Sequence, residues 1–190
     1  MQTAAPTLQV APWSLSSWTD AAQLMALIDP DRIEDEARGA TPSQWFATLR
    51  AQGKTLDAVI FLAHALPRYE CVVWATRSLI EGGVLDRSDP FVTATLRWID
   101  DPCDRLRRAA GELADLSGKT RAGELLCNAV FYSGGSIAPD DLPPVPAPAE
   151  MCARMAGGAV LSGAYQFQKD ADAVVEDALR IGAAMASQPR

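Results

Sequence analysis

His64 is the residue of this sequence whose side chain is best suited to acid–base chemistry at neutral pH. It is the only histidine of the chain, and it lies one turn before Pro67 in an apolar, helical-looking segment. A catalytic histidine requires a carboxylate that orients it and a partner on the substrate side. Asp57 and Glu70 are nearby in sequence, but neither has a spacing that this pairing requires. We therefore expect His64 to hydrogen-bond or cap at a helix end rather than to catalyse.

The cysteines and acidic clusters do not form a recognisable metal site. The four cysteines are Cys71, Cys103, Cys127 and Cys152. They contain no CxxC pair, and one histidine is too few for a zinc-finger ligand set. The carboxylates at 100–104 and 140–141 do not match an EF-hand loop, and acidic residues at a helix N-terminus need no ion to be stabilised. We predict reduced, partly buried thiols, no metal and no cofactor.

Two glycine-containing segments invite interpretation as functional loops. Ser117-Gly118-Lys119-Thr120 lacks the earlier glycine of a phosphate-binding loop, because Leu113 stands at that position. We predict that it is a polar turn that ends a helix. Ser133-Gly134-Gly135-Ser136 lacks the G-x-S-x-G pattern of a nucleophile elbow. Its paired glycines allow the chain to leave a helix through positive φ, so it is either a structural turn or part of a binding surface.

Composition limits the classes of function. The chain has 190 residues, of which 48% are apolar and 22% charged, as in an ordinary globular domain. Its formal net charge of −7 disfavours nucleic acids and anionic membranes as partners. The most apolar stretch, 58–66, is about half the length that crosses a bilayer, and the N-terminus lacks the pattern of a secretory signal. We predict a cytoplasmic protein.

The hydrophobic pattern has the helical period almost throughout. The predicted helices are 18–28, a short charged helix after Pro30, 42–53, 55–66, 68–81, 90–99, 102–118, 121–132, 149–165 and 169–185. Residues 136–148 hold five prolines, which predicts an extended connection over the surface. The predicted fold is an all-α, compact bundle of about eight or nine mostly antiparallel helices, with a loose lead-in at 1–16 and one domain at 17–187.

Some local signals give sharper predictions. Ser17 or Thr19 can cap the first helix, and Thr41 with Gln44 can form a capping box. Within 102–118, a buried apolar stripe is predicted for Leu106, Ala109, Ala110, Leu113 and Leu116. Two i,i+4 ion pairs, Asp101 with Arg105 and Asp104 with Arg108, are expected to support that helix.

Two segments resemble an uncharacterised bacterial family. Residues 61–75, FLAHALPRYECVVWA, are similar to its ALPRREAVWWA segment. Residues 129–139, AVFYSGGSIAP, with LPPVP at 142–146, are similar to its FWSGGSLAP segment and the proline-rich stretch that follows. The order and spacing of these segments also fit, so the resemblance spans roughly 40–187. The chain departs from the pattern at Tyr69 and Val73, where the family commonly has arginine and tryptophan.

The resemblance implies a helical, cytoplasmic protein without a signal sequence. It also implies an association with type VI secretion accessory genes, and hence a role in handling spike or effector proteins. No catalytic residue is carried over from the family.

The absence of a catalytic pattern and this resemblance favour a non-enzymatic adaptor or chaperone that binds another protein. We predict a groove with an aromatic floor and a charged rim. Its partner-binding residues are Arg68, Glu70, Trp74 and Arg77 on one helix and Ser133, Gly134, Gly135 and Ser136 after another. The alternatives are a homo-oligomeric scaffold and an enzyme with a cryptic helical site around His64.

Overall fold

The computed structural model describes residues 11–117, 121–167 and 170–189, and these residues fold into nine α-helices and one 3-10 turn. The helices are α1 (Ala21–Ile28), α2 (Pro42–Ala51), α3 (Thr55–Ala65), α4 (Arg68–Glu81), α5 (Pro90–Asp100), α6 (Asp104–Ser117), α7 (Ala122–Phe131), α8 (Met151–Phe167) and α9 (Ala171–Ala186). The 3-10 turn is Asp35–Ala37. In this part of the chain the only β-pairing is an isolated bridge between Ser136 and Pro146. The all-α prediction is confirmed.

Side-chain caps define where several helices begin. Thr41 accepts a hydrogen bond from the Gln44 amide while the Gln44 side chain accepts one from the Thr41 amide, which confirms the capping box. The cap predicted for α1 was wrong, because Asp20 rather than Ser17 or Thr19 accepts from the first turn. The charged helix predicted after Pro30 is only the single 3-10 turn.

The N-terminal segment is packed against the core where the structure describes it. Residues 1–10 of the predicted lead-in lie outside the described residues. Trp13 is buried, with its ring 5.0 Å from that of Phe46, and the amide of Leu15 donates to the carbonyl of Ala186. Residues 11–16 are therefore anchored rather than loose.

The buried face of helix α6 overlaps the predicted stripe only in part. Ala110 is buried as predicted, and Leu106 and Leu113 pack against the core half-buried. Leu116 is 85% exposed and Ala109 is also exposed, whereas the other buried positions are Arg107, Gly111 and Ala114. The cause is the close approach of α7: a Cβ added at Gly111 would lie 2.7 Å from the Phe131 ring. Large apolar side chains do not fit at that contact, so the leucines lie at its edge or beyond it.

Of the two ion pairs expected on α6, one is present. Arg108 Nε lies 3.0 Å from Asp104 Oδ2, whereas the ion pairs of the described residues do not include Asp101 with Arg105. The predicted helix end at Gly118, and most of the Ser117–Thr120 turn, fall outside the described residues.

Helix α8 is the centre of the bundle. It packs most extensively against α7 and also contacts α3, α4 and α9. Small residues permit this crowding: a Cβ added at Gly163 of α8 would lie 2.6 Å from Leu79 of α4. Within the described ranges, no helix has the length and apolar character needed to span a bilayer.

Trp74 joins α4 to α9 inside the core. Its side chain is fully buried, and its indole Nε1 donates to the carbonyl of Ala178 at 2.8 Å. Gly182, one turn further along α9, leaves the space that the indole occupies. A Cβ there would lie 2.7 Å from Nε1 and closer still to Leu62 Cδ2.

Gly182→Ala is expected to lower the free energy of unfolding by about 1–3 kcal/mol, because the added methyl overpacks a rigid contact with Trp74. Gly158→Ala is the matched control, since its helical Cβ would meet nothing closer than 3.7 Å. That control is expected to gain up to about 1 kcal/mol from helix propensity. Urea unfolding monitored by tryptophan fluorescence measures both, and equal effects of the two substitutions would contradict the packing.

Candidate functional site

The predicted groove does not form, because its four α4 residues do not share one face. Arg68 and Arg77 are nine residues apart, which is two and a half helical turns, so they lie on opposite faces. Trp74 is core rather than an aromatic floor, and Glu70 is half-buried. Arg77 pairs with Glu81 and borders a separate cavity of about 280 Å³ between α4 and α5.

One predicted juxtaposition is present. Arg68 Nη1 donates to the carbonyl of Ser133 at 3.4 Å, so the start of α4 lies beside the turn that follows α7. The hydroxyl of Ser133 donates to the Val130 carbonyl at 2.7 Å, within that helix end. Ser133, Gly134, Gly135 and Ser136 thus form a structured turn, and whether a partner binds there stays a prediction.

Arg107 holds this turn in place, and sequence reasoning missed it. Its guanidinium is buried and donates to Asp104 Oδ1, to the Phe131 carbonyl at 2.6 Å and to the Ser136 carbonyl at 2.8 Å. It also lies 5.1 Å from the centre of the Phe131 ring. One side chain therefore fixes the last carbonyl of α7 and the last residue of the turn together.

Gly135 is required by this arrangement for two reasons. Its φ of +63° is the left-handed conformation that favours glycine. A Cβ there would also lie 2.8 Å from Asp104 Oδ1 and 2.9 Å from Arg107 Nε. Gly135, the second of the paired glycines, thus allows the Arg107–Asp104 pair to approach the backbone.

Residues 137–148, which we call the proline loop, are fixed at their base. Ser136 Oγ accepts from the amides of Ala138 and Val145, both at 3.1 Å, and the amide of Ile137 donates to the Val145 carbonyl. Arg108 donates to the Ala138 carbonyl and pairs with Asp140, each at 3.0 Å. The loop is consequently closed by hydrogen bonds at its base.

The tip of the proline loop is exposed and apolar. Leu142 is 54% exposed and Val145 is 48% exposed, and the three prolines between 142 and 147 are exposed as well.

The charged residues at the base of the loop pair with one another, since Arg107 and Arg108 both contact Asp104. Hydrogen bonds from Arg107, and then from Arg108, lower the pKa of Asp104, so this carboxylate stays charged at neutral pH. The loop therefore presents an apolar tip on a charged but internally paired base.

His64 makes the predicted hydrogen bond near a helix end. Its Nδ1 lies 2.7 Å from the Ile60 carbonyl in the last turn of α3, and its side chain is buried. Desolvation by burial lowers the pKa of His64; the Ile60 hydrogen bond and Glu150 act in the opposite direction, and Arg154 reinforces the lowering. The ring is therefore neutral at physiological pH.

The four cysteines are free thiols, and three of them are buried. A hydrogen bond with Cys152, together with burial, raises the pKa of Cys71 well above its ordinary value. Burial raises the pKa of Cys127 to about 12. Since the thiolate is the reactive form, neither residue is an activated nucleophile.

Gly135→Ala is expected to destabilise the protein by about 1–3 kcal/mol, because alanine strains the positive φ and displaces Arg107. Gly134→Ala is its neighbour control, since nothing lies within 4 Å of a Cβ there and its φ is not positive. That control is expected to change stability by less than about 0.5 kcal/mol. Thermal melts followed by circular dichroism compare the stabilities of the two variants. A Gly135→Ala variant as stable as the wild type would show that Arg107 can hold the turn without the close approach to the backbone of residue 135.

The unfolding free energy is expected to fall as the pH drops below the ordinary histidine pKa of 6.5. The unfolded chain then takes up a proton that the folded chain resists, so this contribution is complete above pH 6.5 and is lost below it. Because His64 is the only histidine, His64→Gln should flatten the slope between about pH 6.5 and 5.5, where carboxylates barely titrate. Urea titrations across that range measure the slope; identical slopes for both proteins would mean that burial does not disfavour the imidazolium.

Comparison with known proteins places the chain in a family but gives no activity. Residues 45–186 match the Family of unknown function (DUF6931). Neither the curated proteins nor the solved structures contain a significant match. The matched range runs from the middle of α2 to the end of α9 and includes Arg107, the turn and the proline loop. The chain is therefore a member of the DUF6931 family, whose function is unknown.

Proposed function

We propose that this protein is a non-enzymatic accessory protein that binds a partner protein through the proline loop. The observation that carries the proposal is the combination of a fixed base and an exposed apolar tip. Leu142 and Val145 are about half exposed, although hydrogen bonds on both sides hold the segment that carries them. A contiguous exposed apolar patch with polar residues at its rim is typical of interaction sites.

The order of the loop favours binding because little conformational entropy remains to be lost. Each proline fixes its own φ, and the residue before a proline is restricted to extended backbone. Residues 142, 143, 145 and 147 all precede a proline. A segment that is already extended binds at a lower entropic cost than a flexible one.

The chemistry of the loop indicates the kind of partner surface. Pro143 and Pro146 have the PxxP spacing that docks into aromatic-lined grooves. Asp141 is exposed beside this segment, while Asp140 is already paired with Arg108. The partner surface that fits is an aromatic groove with a basic residue at its rim.

The residues predicted from sequence contribute unequally to this proposal. Ser133, Gly134, Gly135 and Ser136 support the loop, and Arg68 contacts the same turn. Trp74 is in the core, and Arg77 lies on the far face of α4. Glu70 has no part in the loop. A cytoplasmic role in type VI secretion, in the handling of spike or effector proteins, is proposed from the family resemblance of residues 61–75 and 129–146 alone.

The test is the double substitution Leu142→Ser with Val145→Ser, which removes the apolar tip and leaves the base intact. Affinity capture from the native host, quantified by mass spectrometry, identifies the proteins that the wild type retains and the variant loses. The captured partner, once purified, is expected to bind the variant at least about tenfold more weakly by calorimetry, since two apolar side chains lose their burial.

Leu56→Ser is the matched control, because Leu56 is an exposed leucine on α3, 49% accessible and away from the loop. Both variants should melt like the wild type. The proposal fails if the double variant and the control retain the same proteins, or if the double substitution only converts a dimer to a monomer in light scattering.

A further inference from the structure

A cavity of about 370 Å³ lies where the end of α1 and the last turns of α3 meet α8, and we call it the Arg154 cavity. Its walls are mostly apolar. Ile28, Ile60 and Leu161 line it, and each is half-buried, so part of each side chain stays accessible. The other lining residues are His64, Ala153, Arg154, Gly157 and Gly158. A ligand of this cavity must therefore cover apolar surface.

Several observations place the guanidinium of Arg154 at this cavity. Arg154 lines it, and Nη2 of Arg154 donates to the carbonyl of Ile28, another lining residue, at 3.4 Å. Desolvation by burial is the main cause of the lowered pKa of His64, a third lining residue, and the charge of Arg154 adds to that lowering. Since Arg154 is exposed, its guanidinium lies at the mouth of the cavity rather than inside the core.

Arg154 is the one formal charge among the described residues that line the cavity. The ion pairs of the described residues do not include Arg154, although Glu150 stands four residues earlier in the chain. Asp29 and Asp57 border a neighbouring cavity instead. A guanidinium without a carboxylate partner, in a chain whose net charge is −7, favours an anionic ligand at this site.

We propose that the Arg154 cavity binds a short aliphatic monocarboxylate, a short-chain fatty acid. The carboxylate accepts hydrogen bonds from the guanidinium of Arg154, whose planar donors match it. The alkyl chain packs against Ile28, Ile60 and Leu161. The buried Nε2 of His64, which has no partner among the described residues, takes no part in this contact.

The size and charge of the cavity favour this ligand over larger or more highly charged ones. A volume of about 370 Å³ is at the small end of ligand pockets, which suits one short chain better than a nucleotide. Inorganic phosphate fits less well, because a single arginine would leave part of its charge unpaired beside apolar walls. The ligand is therefore expected to need both its charge and its chain.

Calorimetric titration with hexanoate at neutral pH tests the proposal, and two partial ligands are its controls. Acetate keeps the carboxylate without the chain, and hexanol keeps the chain without the charge. Each is expected to bind at least about tenfold more weakly than hexanoate, because either the apolar burial or the charge-assisted hydrogen bonds are lost. Equal binding of hexanol, or no saturable binding of hexanoate, would overturn the proposal. Tighter binding of a peptide that ends in leucine would overturn it too, since the site would then take a protein C-terminus.

The single histidine locates the bound ligand. Protein carrying ¹⁵N in the histidine ring reports on His64 alone, and hexanoate is expected to shift its ring resonances saturably. Arg154→Gln is expected to weaken hexanoate binding at least about tenfold. Arg68→Gln is the matched control, because Arg68 lines the other cavity that His64 borders, and this variant should bind hexanoate like the wild type.

The reverse pattern, in which Arg68→Gln weakens binding and Arg154→Gln does not, would place the ligand in that other cavity and contradict the proposal. Circular dichroism melts confirm that each variant is folded. None of these measurements uses a partner protein, so this proposal and the function proposed for the proline loop can fail separately.

Discussion

The structure around the proline loop depends on one buried cation, the guanidinium of Arg107. A charge removed from water is tolerated only when it is paired and its donors are satisfied. Arg107 meets this condition with one carboxylate, Asp104, and with the backbone carbonyls of Phe131 and Ser136. Those carbonyls belong to different local structures, the end of α7 and the end of the turn. Because a single planar group must reach both, their relative position is fixed.

Because Arg107 fixes the turn, α6 also determines where the proline loop begins. The cation lies at the C-terminus of α7, where the helix dipole favours positive charge. Asp104 is half exposed, so the ion pair by itself is a modest source of stability, and the hydrogen bonds to carbonyls give the arrangement its specificity. Arg108, one residue further along α6, extends the same support to Ala138 and Asp140. The outcome is a proline loop whose base is set by α6 although it follows α7 in sequence.

Most of the helices could be predicted from sequence because their signals are local. The capping box at Thr41 and the limits of α4 follow from residues within one or two turns. Which face of α6 is buried could not be predicted in full, since the partners that allow Arg107 to be buried are carbonyls 24 and 29 residues away in sequence. A prediction from apolar residues alone centres the buried face on Leu106 and Leu113 and leaves Arg107 outside it. The predicted groove had a simpler error, because the nine-residue spacing of Arg68 and Arg77 already excludes a common face.

Few of the polar or reactive side chains discussed above lack a partner within the described part of the chain. Many reactive-looking side chains already have partners within the chain. Glu124 accepts from Ser117, the indole of Trp74 donates to a carbonyl of α9, and the free thiol of Cys71 is hydrogen-bonded with that of Cys152. The Nε2 of His64 and the tip of the proline loop are not used in this way. Arg68 lies between them, since it lines a cavity that His64 also borders and donates to the Ser133 carbonyl in the turn before the loop.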